Sequence, residues 1–220
     1  LMINGEYMGL YVAMEKITAG ENGARLNLSK KSKDNEFAGY MIKLDSPSNI
    51  PYKNINNFST YTEAAERTIS IVYPKGKNLT PELADEIAKN FSIFEKSLYS
   101  YDYDSDVYGY KAYIDVQSFV DYFLINEFTV NYDAGGRSTF MYRDLGNRYK
   151  MCIWDFNACC GNYIRDVSDK TFFLTERTWF SKLATDEAFT QTVIDRYRDL
   201  RKTYFSDEYL SHYIDQTIAY

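Results

Sequence analysis

The residues that most often build metal and redox sites are scarce in this sequence. One histidine and three cysteines occur among 220 residues, and the cysteines form no CxxC pair. A structural zinc ion needs about four nitrogen or sulfur ligands, so the sequence argues against a zinc site. Cys152, Cys159 and Cys160 are predicted to be buried thiols beside a strand, and a single disulfide among them is the alternative.

The sequence also has few positive charges and no long apolar run. The chain has 25 Lys and Arg against 31 Asp and Glu, a formal net charge of −6. Non-specific binding to nucleic acid requires a basic surface, so we expect no nucleic-acid partner. No apolar run reaches the roughly 20 residues of a transmembrane helix, and no signal peptide is visible. Because the chain begins and ends inside a structural pattern, we expect a domain truncated at both ends.

Aromatic residues, by contrast, are abundant, with 22 tyrosines and 14 phenylalanines. Tyr joins an apolar ring to a polar tip, so it suits half-buried surfaces and contacts with carbohydrate or peptide. The simpler interpretation is a Tyr-rich rim around the core of an extracytoplasmic protein.

The first 76 residues have the composition of a β-rich unit. Asn4-Gly5 between apolar residues predicts a β-hairpin, with a second strand at 7–17. The polar residues 18–37 predict a surface loop. The rest of this unit is predicted as a strand at 39–44, a Pro- and Asn-rich loop at 46–59 and a strand at 69–73.

Helical signals dominate from residue 77 onward. Thr80 is a predicted N-cap, and Pro81 suits the first position of a helix that reaches about Tyr99. Asp115 is the predicted cap of a second, almost wholly apolar helix, which we expect to be buried. Further helices are predicted at 179–183, at 187–204 and after a cap at Ser206.

This order of elements predicts an α+β fold in two units. Residues 1–76 form the small β-rich unit, and residues 77–220 form a mainly helical unit that contains one β-hairpin. Segregated strands and helices of this kind pack as separate layers, so a cleft between the two units is expected.

Residues 131–161 hold the side chains most suited to chemistry. Asp133 lies in a Gly-rich loop directly after the buried helix, and Asp155 lies where the second strand of the hairpin ends. Because the outer ends of antiparallel strands can meet, both carboxylates can face one cleft mouth, where they would suit a divalent metal ion and a phosphate ester. Each also has a simpler role, Asp133 as the cap of the Gly-rich turn and Asp155 as the cap of the strand end.

The order of these residues matches the parts that protein kinases use. Those enzymes have a strand lysine for the phosphates, an aspartate after a buried helix to orient the acceptor hydroxyl, and a later aspartate for the metal ions. Lys43, Asp133 and Asp155 occur in that order. The pattern alone is a weak match. No GxGxxG loop is present, and position 138, five residues after Asp133, is Ser where protein kinases have a metal-binding Asn. Lys43 can equally be an exposed strand lysine.

Five segments, in order along nearly the whole chain, form a more specific pattern: NGEYMGLYVAMEKI, GYMIKLD, YIDVQSFVDYFLINEFTVNYD, STFMYRD and KMCIWDFNACCG. Together they resemble the CotH kinase family, which is named for spore coat protein H. The resemblance extends from about Asn4 to Leu210.

The resemblance implies an atypical protein-kinase-like fold and phosphorylation of Ser or Thr in a protein substrate, with ATP and either Mg²⁺ or Mn²⁺. It gives the catalytic role to Asp133 and a metal-binding role to Asp155. It places the nucleotide-binding lysine at Lys43, with Lys16 as the second candidate and Glu15 as the acidic partner. It also favours an exported or cell-surface bacterial protein.

Two positions depart from the family pattern. Ser138 stands where the family often has Asn, and Asn157 stands where Asp is common. Both are candidate metal ligands, but they supply less negative charge. The alternative function is therefore a catalytically degenerate, kinase-like surface module that recognises protein or polysaccharide. A glycosidase that uses Asp133 and Asp155 is a third hypothesis, which no other sequence feature favours.

Overall fold

A computed structural model describes residues 2–9, 15–20, 25–30, 37–46, 57–62 and 65–218 of the chain. Within these residues it contains nine strands and five α-helices, which confirms the predicted α+β class. Short strands come first and long helices follow. One five-stranded sheet takes its strands from both parts of the chain.

The amino-terminal hairpin forms where the sequence predicts it. Strands β1 (Met2–Ile3) and β2 (Glu6–Tyr7) pair antiparallel. Between them Asn4 and Gly5 have φ angles of 51° and 85°. A two-residue type I′ turn needs positive φ at both central positions, and Asn and Gly adopt it at low cost.

The predicted continuation of the second strand is wrong in part. Residues 15–17 lie in no strand, and residues 10–14 lie outside the described part of the chain. A strand at 15–17 would gain little from packing, because these side chains are exposed or half-buried. Farther on, β3 (Ala19–Gly20) and β4 (Leu26–Asn27) pair in parallel within the stretch that was predicted as loop.

Five longer strands form the main sheet: β5 (Tyr40–Leu44), β6 (Asn57–Thr62), β7 (Ala65–Tyr73), β8 (Thr139–Arg143) and β9 (Lys150–Cys152). Their order is β6-β7-β5-β8-β9, and all neighbours are antiparallel. β5 occupies the middle, and four of its five residues are buried. Tyr40, Ile42 and Leu44 face the core, and Met41 and Lys43 alternate with them on the opposite face.

The start of β6 corrects the sequence-based prediction, which extended the loop to Ser59. Apart from Phe58 and Tyr61 this strand consists of Asn, Ser and Thr, so the period-two alternation of apolar side chains is absent. Its position is set by pairing along β7, from Asn57 opposite Ser70 to Thr62 opposite Ala65. Backbone hydrogen bonds to a neighbour thus decide a strand that local composition does not indicate.

The helices begin at the predicted caps. The Thr80 hydroxyl accepts a 3.3 Å hydrogen bond from the Leu83 N–H, and the Asp115 carboxylate accepts one of 3.0 Å from the Ser118 N–H. Both caps satisfy a backbone donor of the first turn. The helices are α1 (Pro81–Leu98), α2 (Val116–Thr129), α3 (Thr178–Leu183), α4 (Glu187–Arg201, shorter than predicted) and α5 (Asp207–Ile218).

The core lies between one face of the main sheet and helices α1, α2 and α3. Phe91, Phe94, Phe119 and Trp179 have no exposed surface. The rings of Phe91 and Trp179 meet edge to face, with centroids 5.6 Å apart. The indole N–H of Trp179 donates a 2.8 Å hydrogen bond to Glu95, which satisfies a polar group in the middle of the core.

The β8–β9 hairpin was expected inside the helical unit, but it pairs with β5 of the amino-terminal part. The main sheet therefore crosses the predicted boundary at residue 76, and the division into two lobes stays a prediction. This pairing places β8 directly beside the lysine-bearing strand. Among the described residues, no helix is both long enough and apolar enough to cross a membrane.

Candidate functional site

The face of the main sheet that points away from the core lines a cleft of about 500 Å³. Successive side chains of a strand point to opposite faces. On β5, Ile42 lies in the core, whereas Met41 and Lys43 line the cleft. On β8, Met141 lies in the core and Phe140 lines the cleft. The remaining lining residues are 16–19, 70–73, Lys75 and Trp154.

Three lysines, Lys16, Lys43 and Lys75, line this cleft, which we call the lysine cleft. The chain as a whole has a net charge of −6. A cluster of cations in a concave site of an acidic protein creates a local positive potential that favours an anionic ligand. Lys16 and Lys43 are the lysines that the sequence predicts here. Lys75 could not be predicted, because only the folding of β7 against β5 brings it to the cleft.

Lys43 is held by a carboxylate on one side and an aromatic ring on the other. Its ammonium group lies 2.8 Å from Asp45 and 5.8 Å from the ring centroid of Phe140, its cross-strand partner. Phe140 in turn packs edge to face on Trp154, with centroids 6.2 Å apart. These contacts fix the lysine head group over the cleft, and the two rings supply a flat apolar wall.

The acidic partner of Lys43 differs from the expected one. Glu15 is exposed and pairs with Arg25, whose guanidinium lowers the pKa of the Glu15 carboxyl. Lys43 pairs with Asp45, which lies two residues farther along the chain, just past the end of β5. Residues at i and i+2 of an extended chain point to the same side, so this pairing follows from the period of β5 and was available from the sequence.

Asp155 and Ser138 meet at the ends of the β8–β9 hairpin. Ser138 directly precedes β8, and Asp155 follows β9 and begins a 3₁₀ turn at Phe156–Ala158. The Ser138 hydroxyl donates a 3.0 Å hydrogen bond to the Asp155 carboxylate. The neighbouring residue Trp154 lines the lysine cleft, so this pair stands beside the cleft.

Asp133 closes its loop with its backbone rather than with its carboxylate. Its carbonyl oxygen accepts hydrogen bonds from the N–H groups of Gly136, at 3.2 Å, and Arg137, at 2.8 Å. Its carboxylate lies 3.6 Å from the Arg137 guanidinium and keeps 23% of its side-chain surface exposed. The turn is therefore closed by the Asp133 backbone, and the Asp133 carboxylate is left available for another contact.

The donor set near Asp155 is one carboxylate and one hydroxyl, both hard oxygen ligands. Mg²⁺ commonly takes one or two carboxylates and fills its other positions with water and substrate phosphate, so these residues fit such an ion. Asn157 is exposed, and its backbone carbonyl accepts a 2.7 Å hydrogen bond from the side-chain amide of Asn162. Within the described residues, no group of three or more His, Cys, Asp or Glu side chains forms a metal cluster.

Backbone strain is concentrated around these loops. Five non-glycine residues between 130 and 178 have positive φ angles: Val130 at 51°, Ser138 at 45°, Asp155 at 61°, Cys160 at 53° and Thr178 at 37°. Each such residue costs about 1–3 kcal/mol and persists only where surrounding contacts hold it. Strain of this kind gathers at functional sites, and here it brackets both the Asp133 loop and the Asp155 turn.

A half-buried carboxylate ties the end of α2 to the segment opposite the Asp133 loop. Glu127 accepts hydrogen bonds from the N–H groups of Leu174, at 2.6 Å, and Phe173, at 3.2 Å. Burial raises the pKa of Glu127 to about 7, although these two donors act in the opposite direction. Glu127 was not predicted as a site residue from the sequence; its signal there is an acid in the last turn of a largely apolar helix.

The cysteines differ from the sequence-based prediction. All three are free thiols, so the alternative of a disulfide is not realised in this structure. Cys160 is exposed, while Cys152 and Cys159 are half-buried, which corrects the expectation of three buried thiols. Cys160 is exposed because it lies in the turn that follows Asp155 rather than in β9.

The fold and this site define an α+β protein with a lysine cleft beside an Asp–Ser pair. The model of one protein family, described as CotH kinase protein, matches residues 1–220, the whole chain. The chain belongs to the CotH kinase family, as its sequence pattern indicates. It has no significant match among curated proteins or among solved structures.

Proposed function

We propose that this protein is an ATP- and metal-dependent kinase that phosphorylates Ser or Thr of a protein substrate. The observation that carries the proposal is the lysine cleft, which opens beside Trp154 and the Asp155–Ser138 pair. Its volume lies within the range of about 300–1,000 Å³ that is usual for small-molecule sites. Family membership supports the same function.

In this proposal the cleft binds the nucleotide. Lys43 contacts phosphate oxygens and is oriented by Asp45, while Phe140 and Trp154 offer apolar surface to the base. Lys16 and Lys75 add positive charge at the rim. Lys16 remains the second candidate for the phosphate contact. Glu15 has no role in this nucleotide site, because it forms an ion pair with Arg25.

Asp155, with Ser138 and Asn157, would hold Mg²⁺ or Mn²⁺, which neutralises the charge of the transferring phosphoryl group. Asp133 would accept a hydrogen bond from the acceptor hydroxyl and take its proton as the new phosphate ester forms. The Arg137 guanidinium, 3.6 Å from the Asp133 carboxylate, would restrain the rotation of that carboxylate.

The second candidate is a degenerate, kinase-like module that recognises protein or polysaccharide. The observation that favours it is the neutral character of Ser138 and Asn157, which leaves Asp155 as the one carboxylate of the Asp–Ser pair. Fewer anionic ligands weaken metal binding. In this case the cleft would bind an anionic group without transferring it.

Nucleotide binding and phosphoryl transfer should be measured separately. We expect ATP with Mg²⁺ or Mn²⁺ to raise the melting temperature; at a hundred times Kd the stabilisation is about 2.7 kcal/mol. Asp155→Ala should abolish the metal-dependent part. Asp133→Asn should keep this stabilisation but lose label transfer from γ-labelled ATP to a protein acceptor. Stabilisation without transfer in the wild type would favour the degenerate module, and no stabilisation by any nucleotide would reject the kinase proposal.

We also propose that the protein works outside the bacterial cytoplasm, at the cell surface or in a secreted form. Membership of a family named for a spore coat protein supports this location. Cell fractionation of the native host tests it, with recovery in the cytoplasmic fraction as the contrary result.

A further inference from the structure

Two adjacent thiols lie in the turn that follows Asp155. Cys159 and Cys160 are neighbours in the chain, and both are free thiols. Cys160 is exposed and Cys159 is half-buried, so reagents in solution reach the pair through Cys160. The third thiol, Cys152, lies on β9 and is a separate, half-buried group.

The backbone of this thiol pair connects both loops of the candidate site. The Cys159 N–H donates a 3.3 Å hydrogen bond to the Phe156 carbonyl and so closes the turn that begins at Asp155. The Cys160 N–H donates a 2.6 Å hydrogen bond to the Thr129 carbonyl at the end of α2. A change in the backbone at 159–160 therefore acts on Asp155 and on the entrance to the Asp133 loop together.

We infer that Cys159 and Cys160 form a redox-active dithiol site, which takes disulfides and trivalent arsenicals as reagents and changes the Asp155 turn when it reacts. The inference stands on the two thiols and their backbone hydrogen bonds, and it does not depend on nucleotide binding. An extracytoplasmic location would give it a natural oxidant, since disulfides form and persist outside the cytoplasm.

The chemistry is a thiol–disulfide exchange in two steps. Cys160, as the thiolate, attacks one sulfur of a disulfide RSSR; a bond to that sulfur forms, and RS⁻ leaves with the electron pair of the S–S bond. Cys159 then attacks the Cys160 sulfur and displaces the second RS⁻. The protein loses two hydrogens, both thiols are oxidised to one disulfide, and RSSR is reduced to two RSH.

The product must strain the backbone. Adjacent Cα atoms are about 3.8 Å apart across a trans peptide, shorter than the roughly 4.4–6.8 Å that disulfides prefer. Cys160 already has a φ of 53°, which few non-glycine residues adopt. Closing the ring therefore shifts residues 159–160, with their hydrogen bonds to Phe156 and Thr129. Strained disulfides are easily reduced, so the site is reversible.

The first test maps the product of oxidation by oxidised glutathione on the folded protein. We expect the peptide with both cysteines to lose two hydrogen masses and to carry no glutathione. Cys159→Ser should retain a glutathione adduct on Cys160, and the control Cys152→Ser should behave as the wild type. A stable adduct on wild-type Cys160, with Cys159 still open to alkylation, would overturn the inference, as would faster reaction at Cys152.

The second test follows the Asp155 turn itself. The sequence has two tryptophans; Trp179 is buried in the core, whereas Trp154 is half-buried beside Asp155. Oxidation, or one equivalent of phenylarsine oxide, should shift the tryptophan emission and should protect both thiols from alkylation. Trp154→Phe should remove the shift, and Cys160→Ser should prevent it. Unchanged emission after complete oxidation would refute the coupling to Asp155.

Discussion

Ser138 and Asp155 are seventeen residues apart in the chain, yet the Ser138 hydroxyl donates a 3.0 Å hydrogen bond to the Asp155 carboxylate. Both have left-handed backbone conformations, with φ angles of 45° and 61°. The β8–β9 hairpin produces this contact, because it brings the residue before β8 next to the turn after β9. The Asp155 carboxylate is therefore preorganised by the Ser138 hydroxyl.

Ser138 offers two informative substitutions. Ser138→Ala removes a hydrogen bond to a charged group and should lower the free energy of unfolding by about 1.5–3 kcal/mol. Ser138→Asn should bind metal more tightly, because an amide oxygen is the better ligand, and Asn tolerates a left-handed conformation. Urea denaturation and Mn²⁺ titration check both results. Weaker metal binding in Ser138→Asn than in Ser138→Ala would contradict the assignment of position 138 to the metal site.

The lysine cleft makes a prediction about charge. Lys43→Met should remove most ATP-dependent stabilisation, because Lys43 is fixed over the cleft by Asp45 and Phe140. Lys202→Met is the matched control: Lys202 also forms a 2.8 Å ion pair, with Asp199, but it lies just beyond α4 and outside the cleft. Its loss should leave ATP binding within error of the wild type. Calorimetric titration of both variants with ATP checks the prediction. An equal loss of ATP affinity in the two variants would contradict the assignment of Lys43 to the nucleotide site.

Gly135 should be intolerant of even a methyl group. It has a φ of 74°, and a Cβ would lie 2.7 Å from Leu174 Cδ2 and 3.0 Å from Arg177 Cβ. Gly146 has a similar φ of 67°, but no atom lies within 4 Å of the place that a Cβ would occupy there. Gly146→Ala should therefore cost about 1 kcal/mol for its backbone alone, and Gly135→Ala about 1–3 kcal/mol more for the overlap. Similar unfolding free energies for the two variants would contradict this packing.

Glu127 should make stability depend on pH. Its folded-state pKa is about 7, against 4.5 for an ordinary Glu, because burial disfavours the charged form. The folded state then holds a proton that the unfolded state releases, so this contribution is complete below about pH 4.5 and is lost as pH rises through about 7. Glu127 is partly exposed, so we expect a loss of roughly 1 kcal/mol after allowance for solvent screening.

Glu127→Gln tests that effect, since a neutral amide can still accept the Leu174 N–H bond. The free energy of unfolding, measured in urea at about pH 5 and about pH 8, should fall with pH less steeply in the variant than in the wild type. An equal slope in both proteins would show that another group titrates. If the wild type instead became more stable with rising pH and Glu127→Gln did not, the two backbone N–H donors would lower the pKa of Glu127 more than burial raises it.

Several features followed from local sequence alone. The Asn4-Gly5 turn, the caps at Thr80 and Asp115 and the buried apolar helix α2 all formed as predicted. Each depends on interactions within a few residues, such as a side-chain oxygen that accepts a backbone N–H of the first helical turn. The family was also recognisable, because its motifs are short and contiguous.

Other features depended on contacts between distant segments. Strand β6 is defined by its pairing with β7, which no local signal predicts. Glu15 was expected beside Lys43, but the fold pairs it with Arg25. Exposure of Cys160 is likewise set by the path of the turn after Asp155, whereas the prediction of burial rested on the nearby strand.

The stretch at 131–161 shows the division most clearly. The sequence by itself determined its chemistry: two aspartates, a hairpin between them and the order in which they follow Lys43. Only the tertiary structure decided that β8 pairs with β5, which sets Phe140 opposite Lys43. It also decided that Ser138, before β8, meets Asp155, after β9. The physical reason is that side-chain type is a local property, whereas strand register and the closing of a cleft depend on backbone hydrogen bonds and core packing across the whole sheet.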